Sequence, residues 1–284
     1  MSQIERISKH IWIQHADHKT DRPILAAIVG DKRTLLLDAG NSPAHAAQFR
    51  EELTRHNIRL PDLLVLTHWH WDHTFGMSEW KLPAIANHQT ATRLGQLKGL
   101  IWTDETLNEL IRGGIINEAS ARHIQLEYGN NRDLHIIEPD VIFHDRLTID
   151  LGGVLCELEH VGGDHAEDSC LLYVKEDKTL FLGDALGPAI YGGPYRYTSA
   201  NFLRLMEQVN RYDVQTYVES HSRPATADDF HEDIKRYVQL ARYVEAFGDD
   251  HVRITHEMKK YLKVYELPNE FIKAIVWFLT SDAK

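Results

Sequence analysis

The sequence predicts an α/β fold, and three observations carry that prediction. Short, wholly apolar runs bounded by turn residues alternate with stretches whose apolar residues recur at helical spacing. One such run, Leu63-Leu64-Val65-Leu66, follows a strand and a capped helix, which completes a βαβ unit. Directly after it stands Thr67-His68-Trp69-His70-Trp71-Asp72-His73, at the carboxyl end of a buried strand, where α/β folds usually place their chemistry.

Taken in order, His10–Gln14 and Ile24–Val29 read as strands, and Gly30-Asp31-Lys32 turns the second into Thr34–Leu37. Asp38-Ala39-Gly40 closes that strand. Ser42-Pro43 then opens a helix, with a capping serine ahead of a first-turn proline. Its apolar positions are Ala46, Phe49 and Leu53, and it runs to about Asn57. The Leu63 strand sets the histidine cluster at a sheet's edge. Ala84-Ile85-Ala86 is a further short strand. From His88 to about Tyr128 the spacing is mostly helical, broken at Gly113-Gly114 and ended by Gly129-Asn130. That stretch holds more apolar surface, Leu97, Trp102, Leu107 and Ile111 among it, than one crossover helix needs. Part of it either caps the site, meets another subunit, or lies on the sheet.

Strands resume at Val141–Phe143, Leu147–Ile149, Val154–Leu158, Leu171–Val174 and Leu180–Leu182. A loop rich in Gly and Tyr spans Leu186 to Thr198. Phe202, Leu205, Met206 and Val209 mark one face of a helix, and Val214–Val218 is a strand. From Thr226 the chain turns helical, with Phe230, Ile234, Tyr237, Val238, Ala241 and Val244 as its buried stripe. A last helix holds Phe271 to Phe278.

The histidine cluster has the chemistry of a metal site. If the chain stays extended past Thr67, His68 and His70 project to the same side, because strand side chains alternate. Asp72 and His73 are neighbours and diverge, which suits a second donor set beside the first. Neutral imidazole with carboxylate is the donor mix that zinc, iron and manganese accept.

H-x-H-x-D-H after an apolar strand ending in Thr resembles the signature of the metallo-β-lactamase superfamily. The likeness extends along much of the chain. Gly162-Gly163-Asp164-His165-Ala166-Glu167-Asp168-Ser169 is similar to the family's second metal motif. Leu180-Phe181-Leu182-Gly183-Asp184 resembles the strand that delivers a bridging aspartate, and Val218-Glu219-Ser220-His221 the strand end that carries the final histidine. The resemblance implies a four-layer αββα sandwich over residues 1–225, with a helical insertion at about 88–130 and a C-terminal helical extension over 226–284. It implies two divalent metal ions, zinc first and iron or manganese as alternatives. His68, His70 and His165 would hold one, Asp72, His73 and His221 the other, with Asp184 shared. Asp38 matches the family's strand-end aspartate beside the metals; a turn-forming aspartate is the competing reading. One departure is visible: Thr74-Phe75-Gly76-Met77 stands where the family commonly has a Gly-Gly pair.

The implied activity is that of a dinuclear hydrolase in which a metal-bridging hydroxide, oriented by Asp72, attacks a small ester, thioester, lactone or related acyl compound. An iron-dependent oxygenase on the same scaffold and a phosphodiesterase are the alternatives. No G-x-S-x-G elbow, P-loop or dinucleotide fingerprint competes. In the loop after Asp184, Arg196 offers a fork suited to an anionic group, with Tyr191 or Tyr195 beside it, so these three are expected to meet the substrate.

Composition bounds the rest. A chain of 284 residues, 43% hydrophobic, can bury one large core. A formal net charge of −11 disfavours a phosphate backbone, so a small molecule rather than nucleic acid is the expected partner. No apolar run approaches the length of a membrane span, and the amino terminus has no secretion-signal core, which points to the cytoplasm. The two cysteines, Cys156 and Cys170, read as buried free thiols that flank His165. Of the 18 histidines, His10, His15, His18, His45, His56 and His231 lie in polar surroundings and are expected to be solvated. A homo-oligomer is possible, with the stretch through Trp102 as its first contact surface.

Overall fold

The computed structural model describes residues 4–130 and 132–280. Strands β1 (Ile4–Arg6), β2 (Ile11–Gln14), β3 (Leu25–Val29) and β4 (Thr34–Leu37) form an antiparallel run. Helix α1 (Pro43–Arg55) follows, its first turn closed by Ser42 Oγ, which accepts the His45 backbone N–H at 3.0 Å. Strand β5 (Leu63–Val65) then adds parallel to β4. The short helices α2 (Trp71–Thr74) and α3 (Met77–Trp80) lead to β6 (Ala84–Asn87). Three helices come next, α4 (His88–Leu97), α5 (Asp104–Arg112) and α6 (Glu118–Tyr128), before β7 (Val141–Phe143) completes the first sheet in the order β1 to β7.

The second sheet begins with β8 (Arg146–Asp150), β9 (Leu155–His160), β10 (Cys170–Val174) and β11 (Thr179–Gly183). Helix α7 (Ser199–Val209) crosses to β12 (Thr216–Glu219), which lies parallel to β11, and β13 (Ala225–Thr226) closes the edge. Helices α8 (Ala227–Phe247), α9 (His251–Leu262) and α10 (Asn269–Thr280) end the described chain.

Side-chain alternation explains the layering. Leu35, Leu37, Leu63 and Val65 point into a core shared with Leu158, Cys170, Leu172, Val174, Phe181 and Val218, so the two sheets pack face to face. Leu36, Leu64 and Leu66 point the other way, into a core with Ala46 and Phe49 of α1 and with α4 to α6. Leu171, Leu180 and Leu182 face a third core filled by α7, α8, α9 and α10. Three cores separate four layers, which is why the strands read as continuous apolar runs: both faces of each sheet are covered.

Three sequence expectations are corrected here. Strand β5 is interior, between β4 and β6, so the histidine cluster lies at the carboxyl end of a central strand and not at the sheet's lateral edge. His45 is buried on the apolar side of α1, not solvated, and burial together with the Arg22 guanidinium pushes its imidazole down to about 3. His10 is only partly exposed and lies 2.6 Å from Asp177. Strand β1 and helix α9 were not anticipated. Each presents only one or two buried apolar residues, Ile4 in β1 and Ile254 with Met258 in α9, too few to define a period.

The Thr74–Met77 departure also has a physical reason. A Cβ on Gly76 would stand 2.0 Å from the Ala39 carbonyl oxygen, and the Gly76 N–H donates to Gly40 O at 2.8 Å. A glycine is therefore still needed where the helix turn crosses the β4 exit. Phe278, fully buried on α10, stacks on Tyr197 at 4.7 Å. Phe278→Ala is expected to cost about 3–5 kcal/mol in urea unfolding, the usual loss for an aromatic side chain deleted from a packed core.

Candidate metal centre

The carboxyl ends of β4, β5, β11 and β12, with the loop joining β9 to β10, converge on one place. They bring together Asp38, the Thr67–His73 segment, Asp184, His221 and His165. Two donor groups form there: His68, His70 and His165, and Asp72, His73, Asp184 and His221, each with its potential ligand atoms within 4.8 Å of one another. Their membership matches the two sets that the resemblance implies, with Asp184 falling in the second. Asp184 nevertheless touches both. Its Oδ2 lies 3.4 Å from Nε2 of His73, of His221 and of His165.

The imidazoles are aimed. The Nδ1 atoms of His68, His73 and His165 are engaged by Thr67 Oγ1 at 3.1 Å, Asp38 Oδ2 at 2.8 Å and the Pro188 carbonyl at 3.2 Å. Their Nε2 atoms are buried without a hydrogen-bond partner. An orphaned buried polar atom costs about 1–3 kcal/mol, and three converging in one place fit an electrophile between them. Divalent cations satisfy that donor chemistry, and imidazole Nδ1 held by a carboxylate or carbonyl is the usual support for an Nε2 ligand.

Electrostatics divides the two groups. Burial, aided by the neighbouring histidines, pushes His68 and His70 well below the usual imidazole range, and burial lowers His165. These three are neutral and ready to donate a lone pair. In the second group burial opposes charge, but the carboxylates win: Asp72, Asp38 and Asp184 hold His73 well above its ordinary value, and Asp184 and Asp72 do the same for His221. In return Asp72 and Asp184 are held well below the carboxylate range despite their burial. Asp72 Oδ2 sits 3.1 Å from Nε2 of both His73 and His221.

Asp38 is no mere turn residue. It takes the left-handed conformation (φ +58°), accepts the Thr67 N–H at 2.8 Å on Oδ1, and binds both Thr67 Oγ1 and His73 Nδ1 through Oδ2. The cysteines take no part in either group: both are buried in the core between the sheets, unpaired.

The three residues expected to meet substrate separate. Tyr191 packs against His70 at 4.5 Å and Trp69 at 5.7 Å, while its hydroxyl contacts Ser120 Oγ at 3.0 Å. Burial raises that hydroxyl well above the usual tyrosine range, so it stays a neutral donor. Tyr195 is exposed, with its ring 5.6 Å from Trp277. Arg196 Nη1 donates to the Tyr191 carbonyl at 3.2 Å, within its own loop.

Sequence reasoning passed over a second set of residues. Helices α4 to α6 lie on the first sheet, and α6 also leans over the centre through Ser120 and His123. The Asp21 carboxylate stands 3.4 Å from His123 Nδ1 and 3.7 Å from His221 Nδ1. Glu127 of α6 binds Arg22 at 2.6 Å and approaches Ser42 Oγ at 2.5 Å. These partners are far apart in sequence, and a single acidic residue in a polar loop carries no signal of its own.

The comparisons with known proteins agree with this geometry. The family model of the metallo-beta-lactamase superfamily matches residues 20–229. The chain is similar to the acyl-coenzyme A thioesterase MBLAC2 of Bos taurus and that of Homo sapiens, each 24% identical over 248 residues, covering 81% of this chain and 84% of the relative. Among solved structures it resembles the metallo-beta-lactamase from Pontibacter korlensis, with a TM-score of 0.58, 18% identity, and coverage of 85% of this chain and 99% of that one. It also resembles the inverting sec-alkylsulfatase Pisa1 from Pseudomonas sp., with a TM-score of 0.65, 14% identity, and coverage of 97% of this chain and 47% of that one. The chain belongs to the metallo-β-lactamase superfamily and is a hydrolase of that family.

Proposed function

We propose that this chain hydrolyses a thioester of a small acyl compound at a dinuclear centre, with zinc as its metal. His68, His70 and His165 hold one ion, Asp72, His73 and His221 the other, and Asp184 lies between. The observation that carries the reading is the convergence of buried imidazole Nε2 atoms, those of His68, His73 and His165 without a hydrogen-bond partner, around Asp184, whose Oδ2 lies 3.4 Å from Nε2 of His73, His165 and His221. The preference for a thioester among acyl compounds is supported by the printed activity of the mammalian relatives.

Divalent ions in these positions supply an acidified water and polarise the carbonyl under attack. The chain's own groups do the rest. Asp72, between His73 and His221, presents a carboxylate that accepts a hydrogen bond from the nucleophile and holds its direction. Trp69 and Tyr191 wall the His70 side with aromatic surface and keep bulk water off it. Tyr191 carries a neutral hydroxyl at the same wall, able to donate to an acyl oxygen. Arg196 and Tyr195 are proposed to border the substrate only if their loop opens, because each now contacts its own side of the molecule. Kinetics on Arg196→Ala separate the roles. Loss confined to anionic substrates marks an anchor, and an equal loss on neutral analogues marks a support for the Tyr191 wall.

The test is a substrate panel on metal-loaded protein: acyl thioesters, oxoesters, lactones, and phosphodiesters, with oxygen uptake followed in parallel. Thiol release from thioesters at rates well above oxoester cleavage is expected, together with its loss on chelation. Phosphodiester turnover or oxygen consumption without thiol release would sink the reading.

We further propose a cytoplasmic setting. Among the described residues no helix is long and apolar enough to cross a membrane, and Cys156 and Cys170 are both unpaired in the core. Alkylation of unreduced, unfolded protein is expected to label two thiols per chain; a linked pair seen by mass spectrometry would contradict this.

A further inference from the structure

Behind the metal centre, on the outer face of the second sheet, lies a cavity of about 300 Å³. Tyr197, Phe202, Phe230, Tyr237 and Trp277 line it, and Glu219 reaches it from the end of β12. The rings are held in place by their surroundings and not by one another's mobility. Tyr197 donates its hydroxyl to Leu186 O at 3.0 Å and its N–H to Trp277 O at 2.9 Å. Phe230 stacks on Tyr217 at 3.8 Å, and Tyr237 packs on Phe271 at 5.1 Å. The Glu219 carboxyl makes no hydrogen bond or ion pair with any described residue, and burial, with Asp184 nearby, raises it to about 7. Asp233 stands at the rim, its side chain largely exposed.

We propose that this cavity is a binding site for a small organic cation, a quaternary or protonated amine with a compact apolar body. Aromatic faces carry negative potential and attract a desolvated cation, and a carboxylate without a partner supplies the opposing charge. A neutral apolar guest would fill the same walls but leave Glu219 without a partner. A carboxylate guest would set like charges together in a chain whose net charge is −11. A cation satisfies both the rings and the acid.

The site adjoins the metal centre without sharing its donors. Gly187 lines the cavity, and a Cβ added there would come within 2.8 Å of His165 Nδ1. One backbone strand of the 184–187 turn, closed by the Gly187 N–H to Asp184 O at 2.8 Å, therefore separates guest from histidine. An occupant that stiffens this turn reports to Asp184 and His165.

The experiment is isothermal titration of metal-loaded protein at about pH 8, above the raised Glu219 value, with tetramethylammonium and choline, each compared with a neutral isostere, 3,3-dimethylbutan-1-ol for choline. Saturable binding of the cations is expected, with the neutral isostere at least ~10-fold weaker, the scale of a desolvated cation–π contact plus an ion pair. Glu219→Gln and, separately, Trp277→Leu are expected to weaken cation binding by at least ~10-fold. The comparison of cation with isostere needs no variant, so it stands even where Glu219→Gln fails to fold. Equal binding of cation and isostere, no binding of either cation, cation binding unchanged in both folded variants, or preferential binding of a long-chain carboxylate would each overturn the proposal. None of these outcomes depends on thioester turnover, so the failure of one reading is distinguishable from failure of the other.

Discussion

Asp184→Ala is expected to strip at least one ion from the purified protein and to lower hydrolysis on the order of 10³-fold, the scale on which one preorganised electrostatic element is felt. The expectation rests on position. Asp184 Oδ2 lies equally close, at 3.4 Å, to imidazoles of both donor groups. Its removal leaves His73 and His221 to share Asp72 alone and leaves His165 without any carboxylate neighbour at that distance. The fold should survive, because Asp184 sits beyond the end of β11, whereas Leu180, Phe181 and Leu182 supply the packing of that strand. Elemental analysis and steady-state rates on the same preparation decide it. A variant that keeps two ions and full activity would remove Asp184 from the centre. His70→Ala makes a sharper comparison: it removes a donor from the first group only, so the second group's ion is expected to remain while activity is abolished.

The candidate donors were legible through a resemblance whose motifs mostly stand at the ends of apolar strands, with His165 in a Gly-rich turn as the exception. His68 and His70 follow Leu63–Leu66, Asp184 follows Leu180–Leu182, and His221 follows the strand ending at Val218. Layered sheets with both faces buried produce such runs, and the carboxyl ends of parallel neighbours β4 and β5, and β11 and β12, then meet. Fold class follows from those runs, while the full donor set, His165 included, is what the family resemblance implies. What lay beyond reading is what long-range packing decides. His45 reads as solvated for its own polarity, yet it stands among Ala44, Ala46 and Ala47 and faces inward with Ala46 and Phe49. Ser120 and His123 meet the centre through the placement of α6, which the helical spacing of residues 88–130 could not orient, and Asp21 reaches His221 from the loop between β2 and β3. Arg196 reads from the sequence as an anchor for an anionic group; its Nη1 donates instead to the Tyr191 carbonyl five residues away. A motif states which atoms are offered. Only packing states what they face.

Asp38 permits a test in which geometry and charge come apart. Its carboxylate grips the Thr67 N–H, Thr67 Oγ1 and His73 Nδ1, all in a buried setting. Its backbone, at φ +58°, lies where only Gly and, less readily, Asn or Asp rest without strain. Asp38→Asn keeps the backbone tolerance and one acceptor oxygen, but its amide cannot accept from both the Thr67 N–H and His73 Nδ1. The imidazole of His73 then loses the partner that fixes its ring and raises its donor strength, and affinity for the ion it faces is expected to fall by about 10–100-fold. Asp38→Gly removes every side-chain contact while relaxing the backbone; Asp38→Ala removes the same contacts and adds left-handed strain of about 1–2 kcal/mol. Alanine and glycine should therefore weaken the metal equally, while alanine alone carries the further loss in unfolding free energy. Competitive chelator titration measures the first quantity and urea unfolding of the metal-free protein the second. If Asp38→Asn binds metal as tightly as the wild type, the carboxylate serves only the turn after β4, and the orientation of His73 must come from Asp72 and Asp184 instead.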